Sequence, residues 1–275
     1  VELTLDQLTY VLQFVHPEKT LAGLPGLSDA TVAAVFGLDG TAYRRIRAGF
    51  TEAARRAAQE LLEDPTFAGR VERLPFAAGA KVIGLGDSIT DDYQSWLEVL
   101  RHLLALRRPG DGIAVVNAGV SGDTTTHLIG RFVEVAELQP DWVLCMAGTN
   151  DARTYGRQPA KTLVSLDETA RNLVALRRFA ATQTAARWVW ITPAPVIEEK
   201  IAAHWYLGPL QLAWSNRDLR AVADVVRGQP DPVVDVQAVF GVPADPGLLL
   251  ADGLHPSLAG QKAIVRAVVE RLAGP

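Results

Sequence analysis

From Ala80 onward the chain alternates short apolar runs with longer amphipathic ones, five times over. The apolar runs fall at 81–85, 113–117, 142–146, 187–191 and 233–236. A strand with one face in water alternates apolar and polar residues; these runs barely do, as expected of strands covered on both faces. The stretches between and after them, at about 92–107, 124–138, 167–185, 210–227 and 256–272, carry helical spacing. Serial βα units of this kind build a parallel sheet between two layers of helices. The expected fold is therefore α/β, a three-layer α/β/α sandwich around a five-stranded parallel sheet.

Such sheets bind their ligands beyond the carboxyl ends of the strands. The residues that follow each run can be read as a group on that principle. Gly84-Leu85-Gly86-Asp87-Ser88 follows the first, and Asn117-Ala118-Gly119-Val120-Ser121-Gly122-Asp123-Thr124 the second. Gly148-Thr149-Asn150-Asp151 follows the third, Thr192-Pro193-Ala194-Pro195 the fourth, and Asp252-Gly253-Leu254-His255-Pro256 comes after the fifth. A hydroxyl, a glycine turn, a carboxamide, a carboxylate and an imidazole converge on one edge, and these are the parts of an acyl-transfer site. Ser88 stands where a strand gives way to a helix, so its hydroxyl can act as a nucleophile beside free main-chain N–H groups. His255 precedes a proline, which favours an extended backbone, and Pro256 suits the first position of a helix. The helix dipole there would keep the imidazole neutral at rest, and Asp252, three residues away, would offset the charge it gains in reaction.

These blocks resemble those of the SGNH (GDSL-type) hydrolase family. Gly86-Asp87-Ser88 is similar to its first block, 117–124 to the second, 148–151 to the third and 252–255 to the last, in that order over about residues 80–275. The resemblance implies a flavodoxin-like sheet and hydrolysis of esters or related acyl bonds without cofactor or metal. It implies Ser88 as nucleophile, His255 as general base and then acid, and Asp252 as its orienting carboxylate. The Ser88 and Gly122 N–H groups with the Asn150 amide would form the oxyanion hole. The expected partner is a small ester, with acetyl or another short acyl group preferred. Lysophospholipase, thioesterase, carbohydrate deacetylase and acyltransferase activities stay compatible, and no residue reports the oligomeric state.

A metal-dependent phosphoesterase is the competing class, with Asp87, Asp91, Asp123, Asp151 and His255 as ligands. On the serine reading, Asp87, Asp123 and Asp151 tie down turns, Asp91-Asp92 caps the following helix, and Ser121 is structural. Segments 153–166 and 196–215 would wall the pocket. The second concentrates His204, Trp205, Tyr206 and Trp214, and Arg153, Arg157 and Lys161 either attract an anionic substrate or form a solvated rim.

Residues 1–79 read as a helical N-terminal region ahead of a hydrolase domain at 80–275. Thr4 and Gln7 form a capping box before Leu5, Leu8, Val11, Leu12 and Val15, which share one face; Ser28 caps a second helix; 42–62 is a longer one that Asp64-Pro65 stops. Ala33, Gly37 and Tyr43–Arg47 outline a helix-turn-helix. Residues 1–80 nevertheless hold eight Lys/Arg against ten Asp/Glu, without the basic footprint of a nucleic-acid module. The whole chain carries a net charge of −4 over 275 residues, so no nucleic-acid partner is expected. No apolar run reaches the roughly 20 residues of a membrane span. The start has no basic n-region, which favours a cytoplasmic home, while a leader removed ahead of Val1 stays open. The single cysteine, Cys145, falls within an apolar run and reads as buried and inert.

Overall fold

The computed structural model describes every residue except 1–2, 22–23, 25, 157–160 and 275. The apolar runs form β1 (Lys81–Gly86), β2 (Ala114–Gly119) and β3 (Trp142–Met146). After the two-residue β4 (Thr154–Tyr155) come β5 (Arg187–Ile191), β6 (Leu212–Ala213) and β7 (Val233–Val234). The main sheet has the order β2-β1-β3-β5-β7, and every pair in it is parallel. β4 and β6 make a separate antiparallel ribbon. The chain leaves β1 to one side for β2 and returns to its other side for β3, so the strand order switches at β1. That is where a doubly wound sheet opens a crevice.

Alternation along the strands sends side chains to two cores. Val82, Leu144, Met146, Val189 and Ile191 pack in one, and Ile83, Leu85, Val143, Cys145 and Trp190 in the other. The helices Gly40–Leu62, Pro65–Glu72, Trp96–Arg107 and Leu258–Ala273 cover the first face. Thr125–Glu137, Leu166–Gln183 and Asn216–Arg227 cover the second. The three-layer architecture expected from the alternation is the one observed.

Three helix starts differ from expectation, each because a tertiary partner claims the residues concerned. The stretch from residue 92 is preceded by a short helix, Ser88–Asp91, and the long one begins at Trp96 with Ser95 as its cap. Asp91 and Asp92 are buried and bonded elsewhere instead of capping it. The helix expected from 210 begins at Asn216, because Leu212–Ala213 pairs with β4. Pro256 is not a first helical residue: it bridges to Leu249, and Ser257 caps Leu258–Ala273. His255 thus lies ahead of the cap, which weakens the dipole argument for it.

Thr4 and Gln7 do form a capping box for the helix Leu5–Phe14, and Ser28 caps Asp29–Val35. Asp64-Pro65 ends one helix and also opens the next, Pro65–Glu72, with Asp64 accepting from the Thr66 and Phe67 N–H groups. Ala58, Leu61, Phe67 and Val71 share the core of Leu100 and Val268, so residues 40–80 are continuous with the sandwich. Tyr43 packs with Leu12, Val32 and Ala33 in a smaller cluster. On the helix Leu5–Phe14 the expected apolar stripe is inward only in part: Leu12 is buried and Leu8 packs against its cluster. Leu5 is 61% exposed and Val15 38%, whereas Gln13 and Phe14 are buried. Among the described residues no helix is long and apolar enough to cross a membrane.

Candidate active site

Ser88 opens the short helix just past β1. The turn before it admits no side chain at Gly86, where a Cβ would sit 2.4 Å from the Met146 carbonyl oxygen. Asp87 Oδ1 accepts the Ile89 N–H at 3.1 Å and holds the turn. Ser88 Oγ lies 2.9 Å from His255 Nε2, and His255 Nδ1 lies 2.6 Å from Asp252 Oδ2. With the Nδ1 proton directed at the carboxylate, Nε2 is free to accept from the Ser88 hydroxyl. Asp252 Oδ1 is fixed by the Leu254 and His255 N–H groups at 2.8 and 3.0 Å. The turn between Asp252 and His255 needs Gly253, whose φ is +71° and whose Cβ would meet the Ile197 carbonyl at 2.6 Å.

The electrostatics follow from this contact. Burial opposes ionisation of both partners, and their mutual attraction and hydrogen bond overcome it. Asp252 is held at about 2, and His255 above the usual imidazole range. Burial alone dominates at Asp87, which is pushed up to about 6.

The donors expected for an oxyanion face the same space. Gly122 has φ +88°, and Ser88, Gly122 and Asn150 line one cleft with His255. Among the described residues neither the Ser88 nor the Gly122 N–H meets an acceptor. Asn150 Nδ2 donates to the Asp123 carbonyl at 3.1 Å, which aims the amide. Asp123 pairs with Arg131 at 2.6 Å, and Asp151 accepts from the Thr125 N–H at 3.0 Å and from Thr169 Oγ1 at 3.0 Å. These carboxylates tie the block loops together.

Asp91 belongs to the site's support. Its Oδ2 accepts from both the N–H and the hydroxyl of Ser121 at 2.9 Å, bracing the loop that carries Gly122. Its Oδ1 faces His16 Nδ1 at 2.7 Å and the Lys19 ammonium, which also reaches Asn117 Oδ1 and the Gly119 carbonyl. Asp92 accepts from Gln13 and Gln261 at 2.9 and 3.2 Å, and burial pushes it to about 7. The five side chains of the metal reading thus have separate partners. Among the described residues no group of three or more His, Cys, Asp or Glu is arranged to hold a metal. Cys145 is buried, with its thiol pushed up by burial.

Two residues at the site carry no motif and were not expected from the sequence. Tyr10 donates its hydroxyl to Asp252 Oδ2 at 2.8 Å, and burial together with that carboxylate holds the phenol well above its usual range. The Phe14 ring stacks on His255 with centroids 4.0 Å apart and planes 23° from parallel. The available signal was a polar Tyr10 and Gln13 beside Phe14 on one helical stripe, which marks a face that meets polar groups. The cleft, about 420 Å³, is lined by Tyr10 and Phe14 together with Tyr206, Leu212 and Trp214, and the Tyr10 and Tyr206 rings meet edge to face with centroids 6.1 Å apart. His204 and Trp205 pack against Tyr10, with ring centroids 5.0 and 5.8 Å from it. Arg153 lines the cleft, Lys161 is exposed and bonds to the Thr162 carbonyl, and Arg157 is outside the described residues.

The model of the GDSL-like lipase/acylhydrolase family matches residues 85–263. An acetylxylan esterase of Geobacillus stearothermophilus is 29% identical over 222 residues, covering 72% of this chain and 96% of that protein. Esterase TesA of Pseudomonas aeruginosa is 29% identical over 198 residues, covering 70% of this chain and 87% of its own. The solved structure of Axe2, an acetylxylan esterase from Geobacillus stearothermophilus, superposes with a TM-score of 0.57 at 27% identity, covering 73% of this chain and 97% of that one. Structures described as catalytic mutants of Axe2 replace a serine, an aspartate and a histidine by alanine.

Proposed function

The chain belongs to the GDSL-like lipase/acylhydrolase family and is a carboxylester hydrolase of that family; from this premise we propose that it works as a serine esterase on small esters, with acetyl and other short acyl groups preferred. The observation that carries this reading is the unbroken relay from Ser88 Oγ to His255 at 2.9 Å and on to Asp252 at 2.6 Å.

In the first half-reaction Ser88 Oγ attacks the ester carbonyl while His255 Nε2 takes its proton. The Asp252 carboxylate stabilises the imidazolium that forms. The oxyanion accepts from the Ser88 and Gly122 N–H groups and from the Asn150 amide. His255 then gives its proton to the departing alcohol oxygen, leaving an acyl-Ser88 ester. Water repeats the sequence, and the acid and free Ser88 are released. On this reading residues 1–79 are a helical region that lends one wall and two contacting side chains to a hydrolase domain at 80–275.

The acetyl preference is supported by the acetylxylan esterase similarity. Acetylated carbohydrate is accordingly the first natural class to assay. The test is initial rates on p-nitrophenyl esters from acetate to dodecanoate, with Ser88→Ala in parallel. Turnover by the wild type with a loss of several orders of magnitude in the variant supports the serine mechanism. Equal rates in the two proteins overturn it, and a kcat/KM that climbs toward dodecanoate overturns the short-acyl preference.

A further inference from the structure

The cleft that holds Ser88 and His255 also contains a guanidinium that no carboxylate among the described residues pairs with. Arg153 follows Asn150 in the same loop, its N–H donating to the Asn150 carbonyl at 3.3 Å and its own carbonyl accepting from Leu163 at 2.8 Å. The side chain enters the cleft over the rings of Tyr155 and Trp214, with Cζ 5.2 and 5.9 Å from their centroids. Trp214 is buried and anchored by its indole N–H to the Thr149 carbonyl at 2.9 Å, so one of the two platforms is rigid.

What distinguishes Arg153 is the absence of a counter-charge among the described residues. Other partly buried arginines here are paired: Arg108 with Asp111 at 2.6 Å, Arg131 with Asp123 at 2.6 Å, and Arg177 with Asp231 at 2.8 Å. The Nε of Arg153 is buried without a hydrogen-bond partner among the described residues. Burial opposes its charge, and the one carboxylate whose field reaches it, Asp87, is itself buried with its pKa raised to about 6. No Asp or Glu is among the residues lining the cleft, and the neighbouring stretch 157–160, Arg-Gln-Pro-Ala, contains no acid. A buried donor left unpaired is costly and calls for an acceptor that arrives from elsewhere. The fork of a guanidinium fits carboxylate or phosphate oxygens two at a time, and aromatic faces hold it in position for them.

We propose that Arg153 receives an anionic group, a carboxylate or a phosphate, carried by the ester substrate, so that the enzyme selects acidic esters over neutral ones of the same size. This rests on the esterase reading and adds the substrate class to it. The anion supplies the missing acceptor for Nε, and the apolar cleft around it raises the worth of the contact.

The test compares matched acidic and neutral esters on the wild-type chain. On the alcohol half the pairs are 3- and 4-acetoxybenzoate against the corresponding acetoxybenzamides, together with 4-acetoxyphenyl phosphate. On the acyl half the pair is 4-nitrophenyl adipate monoester against 4-nitrophenyl hexanoate. At least one acidic member is expected to exceed its neutral partner about tenfold or more in kcat/KM, chiefly through KM. That ratio should shrink as salt is added, collapse toward one in Arg153→Met, and fall between in Arg153→Lys. If Arg153→Met does not fold, the wild-type ratio, its salt dependence and Arg153→Lys decide the matter. Turnover of the neutral esters with no acidic member preferred overturns the proposal and leaves the esterase reading intact. Turnover of none of them, or turnover indifferent to Ser88→Ala, sinks the esterase reading itself.

Discussion

The hydroxyl of Tyr10 donates to Asp252 Oδ2 at 2.8 Å, the same oxygen that faces His255 Nδ1 at 2.6 Å. A residue outside the stretch matched by the family model, 85–263, therefore shares the carboxylate that orients the histidine. The two donors divide one oxygen's charge. The field of Asp252 on the imidazole is weaker than it would be if His255 faced that oxygen alone.

Replacing Tyr10 by Phe removes one donor and keeps the ring. The carboxylate then presents more charge to His255, which stabilises the imidazolium. The acid limb of the kcat/KM–pH profile should move to higher pH, with KM changed little. A bond to a charged group contributes about 1.5–3 kcal/mol, so denaturant unfolding should show a loss of that order. A stability loss with an unmoved pH profile would reduce Tyr10 to a packing role.

The wild-type profile has a sign of its own. His255 acts as a base only when neutral, and its pKa lies above the ordinary value of roughly 6.5. Activity should therefore be lost as pH falls through a point above that value, not below it. Asp252, held at about 2, stays ionised throughout and adds no inflection near neutrality. Rates on p-nitrophenyl acetate between pH 5 and 9 check this. A midpoint well below 6.5 would contradict the field assigned to Asp252.

Asn150→Ala removes a side-chain donor whose aim is set by the Asp123 carbonyl at 3.1 Å. Losing one oxyanion donor costs about 2.7–4 kcal/mol, or roughly 100- to 1,000-fold in kcat. KM should hardly change, because the contact strengthens only as the oxyanion forms. A rise in KM with kcat intact would assign Asn150 to substrate binding instead.

Gly86→Ala places a Cβ 2.4 Å from the Met146 carbonyl and 2.7 Å from Thr90 Oγ1. Backbone on the neighbouring central strand cannot retreat cheaply, so the expected loss is about 1–3 kcal/mol or more. For a chain of this size that lowers Tm by several degrees, at roughly 2–4 °C per kcal/mol. An unchanged Tm would mean that β1 and β3 separate more freely than their pairing implies.

The sequence by itself determined the sandwich, because burial on both faces imposes an unbroken apolar character on each strand, visible without any coordinates. It also located Ser88, Gly122, Asn150, Asp252 and His255 on one edge, since parallel strands deliver everything at their carboxyl ends to the same side. Those inferences use local pattern and a topological rule. Tertiary structure alone decided the contributions of Tyr10, Phe14, Gln13, His16 and Lys19, which approach the site from 72 to 242 residues away. Hydrophobic periodicity assumes that the inward face of a helix meets apolar groups. It grouped Leu5 and Val15 with Leu8 and Leu12 on one face, of which Leu12 is buried, and nothing local records that this helix also meets Asp252 and Asp92. Asp91 and Asp92 looked like caps for the same reason. A carboxylate's partners are chosen by what the folded chain brings near it: here Gln13, His16 and Lys19 from the first 20 residues, together with Ser121 and Gln261.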